Sequence, residues 1–342
     1  SNDNKISNIK LTGLSIINGQ NGGTLGNTSY GSGIHIVYAD TLKADHLIIR
    51  DNNAEPFSGG GIHITQTNYA SFESVVIRNN QASAQGGGIW SQGTNLDLNN
   101  CIINGNSLTG QDDGGGIYLH EQGTARFINC TIANNQISDG RNGPGFSMNY
   151  YTGSDSVLFF NTIFANNKEV SGDLSGQMHL SWNRMAIVNT YTSTHDGQYN
   201  NIREQDNYFT IADPFTSSNP EDQDIMNQNL DMVLADYSAA IGAGKSSIRF
   251  NGQTVTAPVT DFFGSARPSP QGSNPDMGAL ENSRSKKISR IHVAKSGSDN
   301  NNGTENNPFL TISKGTAVAS KGDTVLVGPG TYFENIVLLD AD

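Results

Sequence analysis

One column of side chains has the residue types for chemistry. Five phrases carry it: GSGIHI (Gly31–Ile36), GGGIHI (Gly59–Ile64), GGGIWS (Gly86–Ser91), GGGIYL (Gly114–Leu119) and a degraded GPGFSM (Gly143–Met148). Apolar residues alternate in each, so placing Ile34, Ile62, Ile89, Ile117 and Phe146 inward places His35, His63, Trp90, Tyr118 and Ser147 outward. His120 and Tyr150 lie further along the same strands. Aromatic and imidazole rings in line suit the apolar faces of sugar rings. The expected ligand-binding set is therefore His35, His63, Trp90, Tyr118, His120 and Tyr150. The plainer reading is a partly covered strand face, where aromatics are ordinary. Read as a catalyst, the column suits a polysaccharide lyase. Such an enzyme needs a base of suitable pKa and a positive charge beside a uronate, and His63, Tyr118, His120 and Arg141 are the candidates. The adjacent loop acids Asp112 and Asp113 are candidate calcium ligands, though such acids are also ordinary solvated loop residues. A glycosidase needs two positioned carboxylates, and no column repeats Asp or Glu. The glycine phrases lack the lysine and the strand–loop–helix setting of a nucleotide loop.

What must position such a column is a repeat. The anchors Ile34, Ile62, Ile89, Ile117 and Phe146 are separated by 28, 27, 28 and 29 residues. A second phrase keeps step: IIRDN ending at Asn52, VIRNN at Asn80, IINGN at Asn106, TIANN at Asn135 and TIFANN at Asn167, with anchors Ile49, Ile77, Ile103, Ile132 and Ile163. Two phrases on one period signal a repeat architecture. Period-two alternation means strands, and the leucine consensus of a leucine-rich repeat is absent. The predicted fold is all-β: a right-handed parallel β-helix, each coil rising about 4.8 Å, with a short capping helix. Asn at each corner tolerates left-handed backbone, and stacked asparagines can bond along the axis.

Composition narrows the partners. The chain has 342 residues, 39 of them glycine, and a net charge of −12. That acidity argues against nucleic acid as a partner. It leaves calcium or a glycan open. No run of about 18 apolar residues suggests a membrane span. Cys101 and Cys130 occupy matching places in neighbouring second phrases. They fit stacked free core thiols, and the coil spacing also permits a disulfide.

Three segments follow in order: coils over residues 1–240, a closure and linker over 241–287, and a cap over 288–342. Variable loops at Ala54–Ser58, Ala82–Gln85, Ser107–Asp113 and Gln136–Asn142 leave the coils at one corner. In the last segment, Pro308 followed by Phe309 and Ile312 suggests a short helix with Pro at its start. The strands GDTVLV and NIVLL come after it.

The segments IHVAKSGSDNNNGTENNPFLTI and KGDTVLVGPGTYFENI resemble the amino-terminal cap of bacterial secreted right-handed β-helix proteins of the pectate-lyase-like superfamily. YSAAIGAG (Tyr237–Gly244), DFFGSARP (Asp261–Pro268) and DMGALE (Asp276–Glu281) resemble the carboxy-terminal closure of the same proteins. The resemblance implies an extracellular or cell-surface protein. It does not choose among lyases, hydrolases, epimerases and adhesins. The order departs from the family, because the cap follows the closure. It could begin the next domain of a tandem array, complete a neighbouring subunit by strand addition, or fold back on its own first coil. A strand Ile336–Leu339 beside Ile9–Ile17 is the expected contact. The functional expectation is a structural or adhesive module whose partners are copies of itself, with a lyase acting on an extracellular glycan as the alternative.

Overall fold

Glycine-led phrases stack because side chains would keep them apart. A Cβ on Gly61 would sit 2.8 Å from the Gly88 carbonyl oxygen of the next coil. At Gly59 the backbone is left-handed (φ +72°), and a Cβ would meet the Ile62 carbonyl oxygen at 2.6 Å. The same closeness recurs in the later coils. It lets Ile34, Ile62, Ile89, Ile117 and Phe146 pair in parallel register, as the sequence implies.

The computed structural model describes residues 7–20, 31–120, 123–149, 156–173, 177–180, 184–188, 190–192, 202–205, 208–209, 215, 232–320 and 322–336. Within these, parallel strands stack into sheets of six, eight, eight and four strands. The six-stranded sheet carries the glycine-led strands, Ile34–Val37 to Met178–Leu180. A middle sheet runs from Asn8–Thr12 to Ile202–Gln205, and a third from Ser15–Ile17 to Tyr208–Phe209. The fold is the all-β parallel β-helix expected. Aliphatic residues fill its core at one end. Phe127, Phe146, Phe159 and Phe164 fill it further on, with ring centroids 4.9–5.9 Å apart. Phe164, not Ile163, continues the second isoleucine stack, facing Ile132. Counting back from Asn167 instead of from the start of the phrase gives that register.

The corner asparagines form a ladder along the axis. Asn52, Asn80, Asn106, Asn135 and Asn167 each donate from Nδ2 to the next side-chain oxygen at 2.8–3.0 Å, and Gln177 ends the series. Their second Nδ2 hydrogen goes to a carbonyl of the preceding coil, as from Asn106 to Ile77 at 2.9 Å. The left-handed residue is the one before the ladder: Asp51, Asn79, Gly105, Asn134 and Asn166. The sequence reading placed it one position late. Cys101 and Cys130 are free and buried. Each thiol points at a carbonyl of the preceding coil, Phe72 and Leu98. Thr162 makes the corresponding bond to Phe127 at 3.0 Å, while the earlier coils hold the apolar Leu47 and Val75 at this position.

A second corner carries another left-handed residue in successive described coils: His46, Ser74, Asn100, Asn129 and Asn161. The last three grip the closure. Asn100 donates to the Thr260 carbonyl, Asn129 to those of Asp276 and Gly278, and Asn161 to that of Lys245. The closure thus lies along the flank of the coils. Its Met232, Leu234, Ile241, Met277 and Leu280 cover the outward Val76, Ile102, Ala133 and Ile163. Met232–Ala240, expected in the coils, packs outside them with this segment. A buried charge knot holds it together. Arg267 pairs with Glu281 at 3.2 Å and donates to the carbonyls of Asp276, Gly278 and Ala279. Asp276 accepts from the backbone of Gly242 and Asn282, both at 2.6 Å.

The cap is a parallel pair, Arg290–Val293 with Thr324–Val327, under the helix Ile312–Val318. The helix is capped by Thr311, so Pro308 precedes it by four residues instead of starting it. Glu334 accepts from Ile312 and Ser313 at its first turn. The cap packs on Ala235 and Tyr237 of the same chain, and Asp236 ties it through Ile288, Arg284 and Asn302. Among the described residues neither strand of the first coil pairs with it. Ile336 lies outside any strand, and Val337–Leu339 fall outside the described residues.

Candidate functional site

The outward column exists, and register sets its order. His35 faces His63, His63 faces Trp90, Trp90 faces Tyr118, and Tyr118 faces Ser147, which faces His179. His63 is the best-fixed ring. It stacks on Trp90 with centroids 4.2 Å apart and planes 11° apart, and His35 meets it edge-on at 4.9 Å. The Trp90 indole N–H donates to Gln85 Oε1 at 3.1 Å.

Exposure departs from expectation. His35 is exposed and Trp90 half-buried, but His63 and Tyr118 are each only 3% exposed and Ser147 is buried. The glycine-led phrases cause this. Gly31 and Gly59 fold back so closely that a Cβ on either would lie 2.8 Å from His63 Cβ, and one on Gly114 would lie 2.9 Å from Tyr118 Cβ. The residues expected to be an open strip are sheltered by the turns that lead into them. Sugar rings could reach His35 and Trp90, and not the faces of His63 and Tyr118.

Burial also decides the acid–base chemistry. Burial first, then the charge of His35, lowers His63 to about 3. At neutral pH it is an uncharged imidazole and a poor base. Burial chiefly, and also the acids Asp112 and Asp113, push Tyr118 up to about 12. The four lyase candidates do not come together. Trp90 separates His63 from Tyr118 by two coil steps, roughly 10 Å. His120 stands in the next column, facing Gln92 and Asn149. Arg141 donates from Nη2 to Gln111 at 2.6 Å, in the loops beside Tyr118. Tyr150 lies outside the described residues.

The calcium candidates fare no better. Asp113 Oδ1 accepts from the Asn142 backbone at 2.9 Å. Asp112 is exposed, its pKa raised by partial burial and then by Asp113. Among the described residues no three His, Cys, Asp or Glu gather to hold a metal ion. Two adjacent acids alone are too few ligands for calcium.

Sequence reasoning missed two groups. Gln85, which orients the Trp90 indole, sits in a variable loop with no periodic mark. The corner asparagines Asn100, Asn129 and Asn161 were visible as a repeated position, but their partners lie far along the chain. No described helix is long and apolar enough to cross a membrane.

Comparison with known families gives two matches. The model of a family described as right handed beta helix region matches residues 1–210. A second family, described as a protein of unknown function, matches residues 295–337. No curated protein and no solved structure matches the chain.

Proposed function

Since the chain belongs to the right-handed β-helix family, whose model spans residues 1–210, we propose that it is an extracellular structural or adhesive module, one unit in a series of such bodies. The observation that carries this is the cap. It opens as a β-helix opens, with strand, lid helix and parallel strand, and a different family model from that of the coils matches it. It follows a body whose flank is already clasped. Its outer strand keeps apolar side chains toward solvent, Val327 at 45% and nearby Phe333 at 92%. Such surface suits a further coil stacked upon it. The test is a tandem duplicate, Asp342 joined to Ser1 of a second copy. Hydrogen exchange at Thr324–Val327 of the leading copy should slow at least tenfold relative to the single chain. Equal exchange in both would end this reading.

The second reading is a glycan-active protein, a lyase in its enzymatic form. Trp90 favours it, since the ring is half-exposed and fixed by His63 and Gln85. Trp90→Ala should then weaken glycan binding more than any other change in the column, because indole offers the largest stacking face. A screen of acidic polysaccharides for new unsaturated-uronate absorbance tests the lyase. No absorbance, together with unchanged binding in the Trp90 variant, removes it.

A further inference from the structure

Exposed apolar side chains gather at two places. Of the twelve large ones among the described residues, four lie between Leu14 and Tyr38 and five between Leu310 and Ile336. Each place adjoins a parallel strand that stands at the end of its sheet among the described residues, Asn8–Thr12 and Thr324–Val327. In the first coil, Ile9 and Leu11 are only half-buried, while Leu42 and Ala44, which face them in the strand behind, are shut away. In the cap, Val325 is half-buried and Val327 is 45% exposed, while their partners Ile291 and Val293 are at 0% and 1%. The two edges need the same thing: a parallel strand with apolar residues at alternate positions. Each could supply it to the other. The strand TVLV offers Val325 and Val327, and the strand NIKLT offers Ile9 and Leu11. Among the described residues Asp236 and Tyr237 hold the cap on the body, and its strand sits in a different sheet from Asn8–Thr12.

We propose that Thr324–Val327 of one copy adds in parallel to Asn8–Thr12 of a second copy, with Val325 opposite Ile9, Leu326 opposite Lys10 and Val327 opposite Leu11. The inference rests on the module reading and names its partner, a separate copy of this chain. On the outer face the methylenes of Lys10 would cover Leu326 while the ammonium stays in water. Phe333 and Ile336 then face the neighbour's Leu14 and Ile17. The two surfaces differ, so the contact is head-to-tail. Nothing in it closes a ring, and copies add in a line.

Cross-linking between copies tests the register. The native thiols Cys101 and Cys130 are buried and give little background. Copies carrying Lys10→Cys are mixed with copies carrying Leu326→Cys and oxidised. A disulfide-linked pair should form in the mixture and in neither variant alone. Light scattering of the native chain should show mass rising with concentration, and Val327→Lys should weaken that association at least tenfold with an unchanged circular dichroism spectrum. Monomer at every concentration, or links forming as readily within one variant as between the two, would overturn the docking. The tandem duplicate separates the two ideas. If Thr324–Val327 is protected there while separate copies stay monomeric, the module reading stands and docking between copies fails. If neither occurs, both fall.

Discussion

Asn106 concentrates what a single side chain does here. Its oxygen receives the backbone and side-chain N–H of Asn80, and its amide serves Ile77 and Asn135. Asn106→Ala leaves those buried groups unmet, at about 1–3 kcal/mol each. Urea unfolding should show a loss of about 3 kcal/mol or more. Ile89→Asp buries a carboxylate in the middle of the stack and should cost several kcal/mol, on the order of a lost fold. His63 makes a different prediction. Its folded pKa is lowered from 6.5 to about 3, so the unfolded chain takes up the proton first. The stability this gives is complete above 6.5 and is lost as pH falls toward 3. Its imidazole carbons should show no titration by NMR between pH 5 and 8. His63→Phe should reduce the acid loss. The identity and line of this column were legible from alternation alone. Its shelter was not, because that comes from backbone folding back at Gly31 and Gly59, which alternation does not encode.

Among the elements, the closure makes the sharpest claims. Arg267 and Glu281 are both about 1% exposed in their side chains, and removing one partner of such a pair leaves a bare buried charge. Arg267→Met should cost about 3–5 kcal/mol and should speed hydrogen exchange over residues 232–282 before it touches the coils. Asp276 is raised from 3.8 to about 7, by burial first and Glu281 second. The folded state therefore holds its proton longer than the unfolded one. That contribution is complete below 3.8 and fades as pH rises through 7, opposite in sign to His63. The two offset each other over most of the acid range, so whole-protein melting hides both. Exchange within the closure separates them: protection there should fall between pH 6 and 8 in the native chain and stay flat in Asp276→Asn. The coils were readable in the sequence because every contact repeats after one coil. The clasp was not, because its partners share no period. The cap helix was readable as an element, and its start was misplaced because Thr311, not Pro308, supplies the cap.

Taken whole, the molecule is a β-helix with a clasp along its side and a cap seated on the clasp. Truncation after Glu281 removes the cap and exposes Ala235 and Tyr237. The coils and closure should survive it with unchanged circular dichroism in the strand region, but with lower stability because Asn282 leaves Asp276 and Leu234, and should lose the association assigned to the cap. Fold and period were legible in advance. How the cap sits was not, since Asp236 carries no pattern that marks it as an anchor. The clasp also has a consequence in time. Ladder bonds such as Asn52 to Asn80 close a separation of 28 residues, whereas Asn129 reaches Asp276 across 147 and Asn100 reaches Thr260 across 160. Short loops close first and distant ones later. During synthesis the coils can wind up one by one as they emerge, while the strip of Val76, Ile102 and Ile163 waits bare until the chain beyond residue 230 arrives. In that interval this apolar flank is open to contact with other growing chains.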